Sequence, residues 1–186
     1  MRISLPERLE DGVVALRPMR TDDAAAYASA FLDDPALGGL LGLEKDPDEA
    51  SVRERIERQS ERTEEDIKFV RLAIVDAPTD VFWGEVIVHS LHDHHRRGEL
   101  GFWVAPGQRR RGVGSRAVAL TVSWLFEALD LSRVEMTTIP ENQIVPALAR
   151  RLGFRQEGIL RRRNVERGRR VDIVWFGLLR EEWQGS

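Results

Sequence analysis

Short alternating runs of apolar residues, separated by stretches with helical spacing, set the frame of this chain. Residues 13–17 are an apolar run closed by Pro18, which predicts a first strand. Thr21, followed by Asp22 and Asp23, predicts the cap of a helix running to about Leu32. Asp33-Asp34-Pro35 and Gly38-Gly39 predict loop. Asp48 predicts the cap of a second, heavily charged helix through Arg62. From Lys68 onward, Phe69, Arg71, Ala73 and Val75 fall on every second position, the period of a strand. A turn over 76–80, a strand over 81–89, a polar loop to Gly98 and a strand over 99–104 follow.

Val118, Val122, Leu125 and Leu129 recur at helical spacing and predict a long helix over 113–129. A strand over 133–138 and a short helix over 146–151 come next, the latter stopped at Leu152-Gly153. Residues 154–162 and 171–179 read as a closing antiparallel pair. The order β, α, α, β, β, β, α, β, α, β, β predicts a mixed α/β or α+β layer structure. Its 186 residues, without repeats or a composition break, predict one domain over 1–186 with a single sizeable core.

Composition narrows the function classes. Apolar residues make up 42% and charged residues 32%, as in a soluble globular chain. No apolar run is long enough to span a membrane, and the first residues lack a signal-peptide core. With no cysteine there is no disulfide framework, no thiolate metal site and no cysteine nucleophile. A cytoplasmic location is the expectation. The net charge of −3 hides an asymmetry: residues 1–93 hold 11 basic and 21 acidic side chains, residues 94–186 hold 17 basic and 10 acidic. All the basic residues of the second half are arginine, which suits a polyanionic ligand there.

The basic half contains the most informative segment, Gln108-Arg109-Arg110-Arg111-Gly112-Val113-Gly114-Ser115. It joins a predicted strand to a predicted helix. Glycines allow close backbone approach, the first helical N–H groups are unpaired, and the helix dipole is positive there. That combination fits a phosphate or pyrophosphate. It is not a P-loop, which ends in Gly-Lys-Ser/Thr. Nor is it the dinucleotide fingerprint, because Ala117 stands where a third glycine belongs.

With these motifs in order, the chain resembles the Gcn5-related N-acetyltransferase (GNAT) superfamily, in its ribosomal-protein N-terminal acetyltransferase branch. Arg109-Arg110-Arg111-Gly112-Val113-Gly114 matches the central Arg/Gln-x-x-Gly-x-Gly/Ala motif. Residues 99–104, Pro140-Glu141-Asn142 and Leu152-Gly153-Phe154 match further signatures at close to the usual separation. The resemblance implies a twisted, mostly antiparallel sheet, splayed between its fourth and fifth strands and flanked by helices. It implies acetyl-coenzyme A as cosubstrate, its pyrophosphate on the backbone of Arg110 to Ser115. Arg109, Arg110, Arg111, Gly112, Val113, Gly114 and Ser115 are the cradle residues. The pantetheine arm would pair with the strand near Trp103 and Val104, and Asn142 would contact the cofactor.

Acetyl transfer by direct attack of an amine needs positioning, a base and a group that polarises the carbonyl. A backbone N–H near Trp103 or Val104 is the candidate for the last role. Glu85, an acid in an otherwise apolar run, is the first candidate base. Glu99 is the second, and a base acting through water remains open. All four histidines lie within residues 89–95, in what reads as a solvated loop rather than a metal site, so no metal is expected; His89, at the strand end, is within reach of substrate. Arg161-Arg162-Arg163 and Arg167-Gly168-Arg169-Arg170 flank a predicted turn, and nucleic acid is disfavoured because no stacking surface accompanies them. Val145 stands where the family pattern has a serine near the departing sulfur, so the thiolate is expected to leave unassisted or take its proton from water. The leading acceptor is a protein N-terminal amine. A small amine, such as an antibiotic or polyamine, and a non-catalytic acyl-coenzyme A binding module are the alternatives. No membrane partner is expected, and a homodimer is left open.

Overall fold

The structure, a computed structural model, describes residues 5–60, 69–166 and 168–185. The expected helix end at Arg62, the strand start at Lys68 and Arg167 fall outside the described residues. In chain order the elements are β1 (Leu9–Glu10), β2 (Val14–Pro18), α1 (Asp23–Asp33), α2 (Leu37–Leu40), α3 (Glu49–Ser60), β3 (Val70–Asp76), β4 (Phe82–His92) and β5 (Arg97–Val104). Then come α4 (Val113–Glu127), β6 (Arg133–Thr138), α5 (Ile144–Arg151), β7 (Arg155–Glu166) and β8 (Arg169–Leu179). The strands form one sheet in the order β1-β2-β3-β4-β5-β6-β8-β7. Pairing is antiparallel throughout except between β5 and β6. This is the mixed α+β architecture expected from the element order.

Alternation along the strands divides the core between the two faces. Leu16, Leu72, Val86, Val88 and Leu100 pack under α4, against Val118, Val122 and Leu125. On the opposite face, Trp103 packs with Tyr27 and Phe31 of α1 and Val52 and Ile56 of α3. Full burial of such side chains stabilises by about 1.5–3 kcal/mol each, so each helix is held by its apolar stripe.

Several boundaries differ from the sequence expectation, each for a local reason. Strand β1 and helix α2 are too short to show a period. Strand β4 runs on to His92 through a register shift between His89 and His92, with Ser90 at φ +51. At α1 the Thr21 side chain makes no cap bond. Instead the buried Asp23 carboxylate accepts from Arg20 N–H at 2.7 Å and from both terminal nitrogens of buried Arg17 at 2.9 Å. The first N–H groups are met by backbone, Asp23 N–H by Arg20 C=O at 2.9 Å and Ala24 N–H by Thr21 C=O at 3.2 Å. At α3 the expected cap is present: Asp48 Oδ1 accepts from Ser51 N–H at 2.8 Å.

The outermost strand, β7, is exposed along most of its 12 residues. Its pairing with β8 shifts between Leu160 and Asn164, where Arg162 adopts φ +53. Asp172 Oδ1 accepts from Arg162 N–H at 2.7 Å and fixes that bulge.

The parallel junction of β5 and β6 is short. Arg97 faces Arg133, Gly98 faces Val134 and Glu99 faces Glu135, and there the two strands part. Nearly buried Glu135 accepts from Arg97 Nη1 at 2.9 Å and from Arg133 Nε at 2.8 Å. Arg133 also reaches Glu157 of β7, with Nη1 to Oε1 at 2.7 Å. Gly177 lies beneath this pair. A Cβ there would stand 2.4 Å from both Arg133 Nη2 and Glu157 Oε1. Both atoms are ends of flexible, partly exposed side chains, so Gly177→Ala is expected to displace this ion pair and destabilise the protein by about 0.5–1 kcal/mol. Denaturant unfolding measures this, and an unchanged midpoint would remove the steric role of the glycine.

Candidate active site

The anion cradle forms as the end of β5 turns into α4. A 3-10 turn at Pro106–Gln108 leads to Arg110 at φ +61 and Gly112 at φ +79. The first α4 bond runs from Arg116 N–H to Gly112 C=O at 3.1 Å. The N–H groups just before it have no helical acceptor, and they share the positive end of the helix dipole. A Cβ on Gly112 would meet nothing within 4 Å, so the backbone there faces open space. Gly114 has a different use. Its Cβ would come 2.8 Å from Phe102 Cε2, so its bareness lets α4 pack on β5, while its N–H belongs to the open first turn.

The three arginines of the segment diverge. Arg110 and Arg111 are exposed. Arg111 stands 5.8 Å from the Trp83 ring centre and bonds Gln108 at 2.5 Å. Arg109 turns the other way, to Val104 C=O at 2.9 Å and Asp34 Oδ2 at 2.6 Å. Val113 is buried in the core, and Ser115 is half-buried.

Beside the cradle lies the free edge of β5. Ala105 N–H bonds back to Trp83 C=O at 2.7 Å. By alternation, the N–H and C=O of Val104 then point to the opposite edge, where β6 has departed. The Arg109 bond to Val104 C=O lies on that edge, and Val104 N–H shares it.

The two candidate glutamates lie on the same sheet face in different settings. Glu85 is fully buried. Its carboxylate accepts from Tyr27 Oη at 3.0 Å, Trp103 Nε1 at 3.1 Å and Arg71 Nη1 at 2.6 Å. Glu99 stands at the fork itself, where β5 and β6 cease to pair. Thr137 Oγ1 donates to its Oε1, and His89 Nδ1 lies 3.8 Å from its Oε2. The Glu99 side chain is 14% exposed and that of His89 33%. Between the two glutamates, a Cβ on Gly101 would meet nothing within 4 Å, which leaves a free path along the floor. Tyr27, Arg71 and Thr137 were not singled out from sequence. The one available signal was Arg71 on the inward period of an apolar strand.

Asn142 shapes the far side. Its Oδ1 accepts from Ile144 N–H at 3.0 Å and Val145 N–H at 3.3 Å, which starts α5 two residues before Pro146. Val145 packs half-buried against the core. Beyond the end of β6 is an open cavity of about 520 Å³, lined by Gly39, Pro140, Glu141, Glu166 and the start of β8. Burial, with the charge of Glu141, raises the Glu166 carboxyl above its ordinary pKa. The histidines of the β4–β5 turn lie ring to ring, His94 to His95 at 5.0 Å. Among the described residues, no group of three or more potential ligands is placed to hold a metal, and no helix is long and apolar enough to cross a membrane.

Comparison with known proteins places these features in a family. Residues 14–155 match the acetyltransferase (GNAT) domain. YdaF of Bacillus subtilis, provisionally named a ribosomal N-acetyltransferase, is 26% identical over 93% of this chain and 94% of its own. Mycobacterium smegmatis RimJ, solved in complex with a coenzyme A disulfide, superposes with a TM-score of 0.81 at 27% identity, covering 96% of this chain and 88% of that one. A GNAT-family acetyltransferase from Bacillus anthracis shares the fold, with a TM-score of 0.81 at 19% identity over 94% and 99% of the two chains.

Two outcomes test the site. Valine at Gly112 would place bulk in the open space over the cradle and cost about 1–2 kcal/mol in backbone strain. Gly112→Val is expected to weaken coenzyme A binding by about tenfold or more in a folded protein, about 1.4 kcal/mol. Calorimetry decides, and unchanged affinity would move the pyrophosphate elsewhere. The second concerns Tyr27, the single tyrosine. Burial first, and the Glu85 charge second, push its hydroxyl from 10.0 up to about 12. Because the folded state holds this proton more tightly, the corresponding stability is present below pH 10 and lost as pH rises towards 12. Tyrosinate absorbance in the native protein should therefore rise near pH 12; a rise near pH 10 without unfolding would contradict the buried network.

Proposed function

Because the chain belongs to the acetyltransferase (GNAT) family, we propose that it transfers the acetyl group of acetyl-coenzyme A to a protein N-terminal amine, with Glu99 as the base. The family assignment makes the chain an N-acetyltransferase, and proteins of this family use acetyl-coenzyme A. The choice of a ribosomal-protein type of acceptor is supported by the name carried by YdaF. The observation that carries the reading is the fork. A free strand edge, an unpaired helix N-terminus and a partly exposed carboxylate converge where β5 and β6 part.

When bound, acetyl-coenzyme A supplies an activated thioester. The residues present fit it, because Gly112 leaves the cradle backbone open and the arginines at 110 and 111 are exposed. The N–H groups opening α4 would hold the pyrophosphate. The free edge of β5 at Val104 would align the pantetheine as an added strand and offer an N–H to the acyl oxygen. Glu99 would take the proton from the attacking amine while Thr137 holds its other oxygen. Val145 would offer the departing thiolate no proton, which would then come from water.

The geometry supports Glu99 over Glu85. Three donors already occupy the Glu85 carboxylate, and no part of it is exposed. Its function in this reading is to hold Trp103, and with it β5, in place. Thiol release with acetyl-coenzyme A and a panel of peptides and small amines tests the activity; turnover confined to small amines would overturn the proposed acceptor. Glu99→Gln is expected to lower turnover by about 100-fold to 10,000-fold while leaving coenzyme A affinity unchanged. Glu85→Gln is expected to act first on stability. The reverse pattern would transfer the base to Glu85.

A further inference from the structure

Arg109 opens the basic segment, yet its guanidinium is committed away from the cradle. Nε donates to Val104 C=O at 2.9 Å and Nη1 donates to Asp34 Oδ2 at 2.6 Å. Among the described residues, no ion pair engages its neighbours Arg110 and Arg111, which lie exposed. Arg109 is thus the one of the three tied to a distant element, while Arg111 bonds only nearby Gln108 and Arg110 lies exposed.

The two partners of Arg109 belong to different elements. Val104 ends β5 on the free edge of the fork. Asp34 closes α1 and builds the turn into α2. Its Oδ1 accepts from Ala36 N–H at 3.1 Å, and its carbonyl accepts from Leu37 N–H at 2.9 Å. Helix α2 then carries Gly39 to the wall of the cavity of about 520 Å³ beyond the end of β6. The wall opposite is Pro140, Glu141, Glu166 and the start of β8.

Resting on the acetyltransfer reading above, we infer that Arg109 is a positioning residue for the acceptor mouth, a strap that fastens the α1–α2 turn to the edge of β5, and not a phosphate ligand. The fork of a guanidinium suits this task, since it presents Nε and Nη1 to two fixed acceptors at once. Lysine, with one ammonium, cannot span both. The pair is partly exposed, with side chains 34% and 19% accessible, so it contributes little to stability and its removal leaves the fold intact. What its removal loosens is the placement of the α2 wall.

Four variants separate a strap from a phosphate ligand: Arg109→Gln, Asp34→Asn, the double variant and Arg109→Lys. Each is measured by acceptor kinetics with a peptide amine and by calorimetry with coenzyme A. A strap predicts that Arg109→Gln and Asp34→Asn each lower kcat/KM for the acceptor by about tenfold to 100-fold, chiefly through KM. It predicts a double variant no worse than either single one, because both break one link. Coenzyme A affinity should stay within about twofold of the unaltered protein in all four, and Arg109→Lys should recover only part of the loss. A fall of about tenfold or more in coenzyme A affinity in Arg109→Gln, with Asp34→Asn neutral or tighter, would make Arg109 a phosphate ligand and overturn the strap. If the unaltered protein turned over no amine, that failure would fall on the proposed function. Hydrogen exchange of the α1–α2 turn would then decide, the strap being upheld if Arg109→Gln and Asp34→Asn each speed exchange there by about tenfold or more and overturned if neither does, or by the same affinity loss.

Discussion

The structure depends on how briefly β5 and β6 pair. Three residue pairs join them, and beyond Glu99 and Glu135 the strands part. A parallel pair left to itself would extend its ladder, because every unpaired N–H and C=O near the core needs a partner. Here the joined end is locked by charge, with Glu135 held between Arg97 and Arg133, and Arg133 tied onward to Glu157. Paired charges that are largely withdrawn from water tolerate little displacement. The two halves of the sheet are therefore hinged at one end, and the other end is free to hold a ligand edge.

Around that opening, the two faces of β5 have separate duties. Leu100 and Val104 face α4 and belong to the apolar core that fixes the cradle helix. Glu99 and Trp103 face the side of α1, and Trp103 is seated by the buried carboxylate of Glu85. Leaving that carboxylate unpaired would be costly, which is why Tyr27 and Arg71 both reach it. One strand thus transmits order from a hydrophobic helix on one side and from a polar network on the other.

Local features were the legible ones. The spacing of Val118, Val122 and Leu125 and the turn at Gly112 belong to single elements, and the sequence reading of α4 matches the structure at its entry, though the helix ends at Glu127, before Leu129. What sequence could not supply were the partners. Tyr27 meets Glu85 across 58 residues, and Arg109 meets Asp34 across 75. No period or motif encodes such a distance, so the sequence offers the Glu85 carboxylate as a candidate base and does not show the partners that make it an anchor. The same holds for β4. An added residue pushed through Ser90 at φ +51 leaves no mark in an alternating pattern.

The bulge in β7 has a consequence beyond its own hydrogen bonds. An outermost strand of 12 residues, exposed and carrying Ile159, Leu160 and Val165 at its surface, is a template that a stray chain would extend. At Arg161 to Arg163 the pleat falls out of step. An incoming strand that matches one half of β7 misses the other, and at the break it meets three like charges in a row. The arginine run that the sequence places beside a predicted turn thus sits inside an edge strand, where charge and a broken pleat both disfavour an added strand.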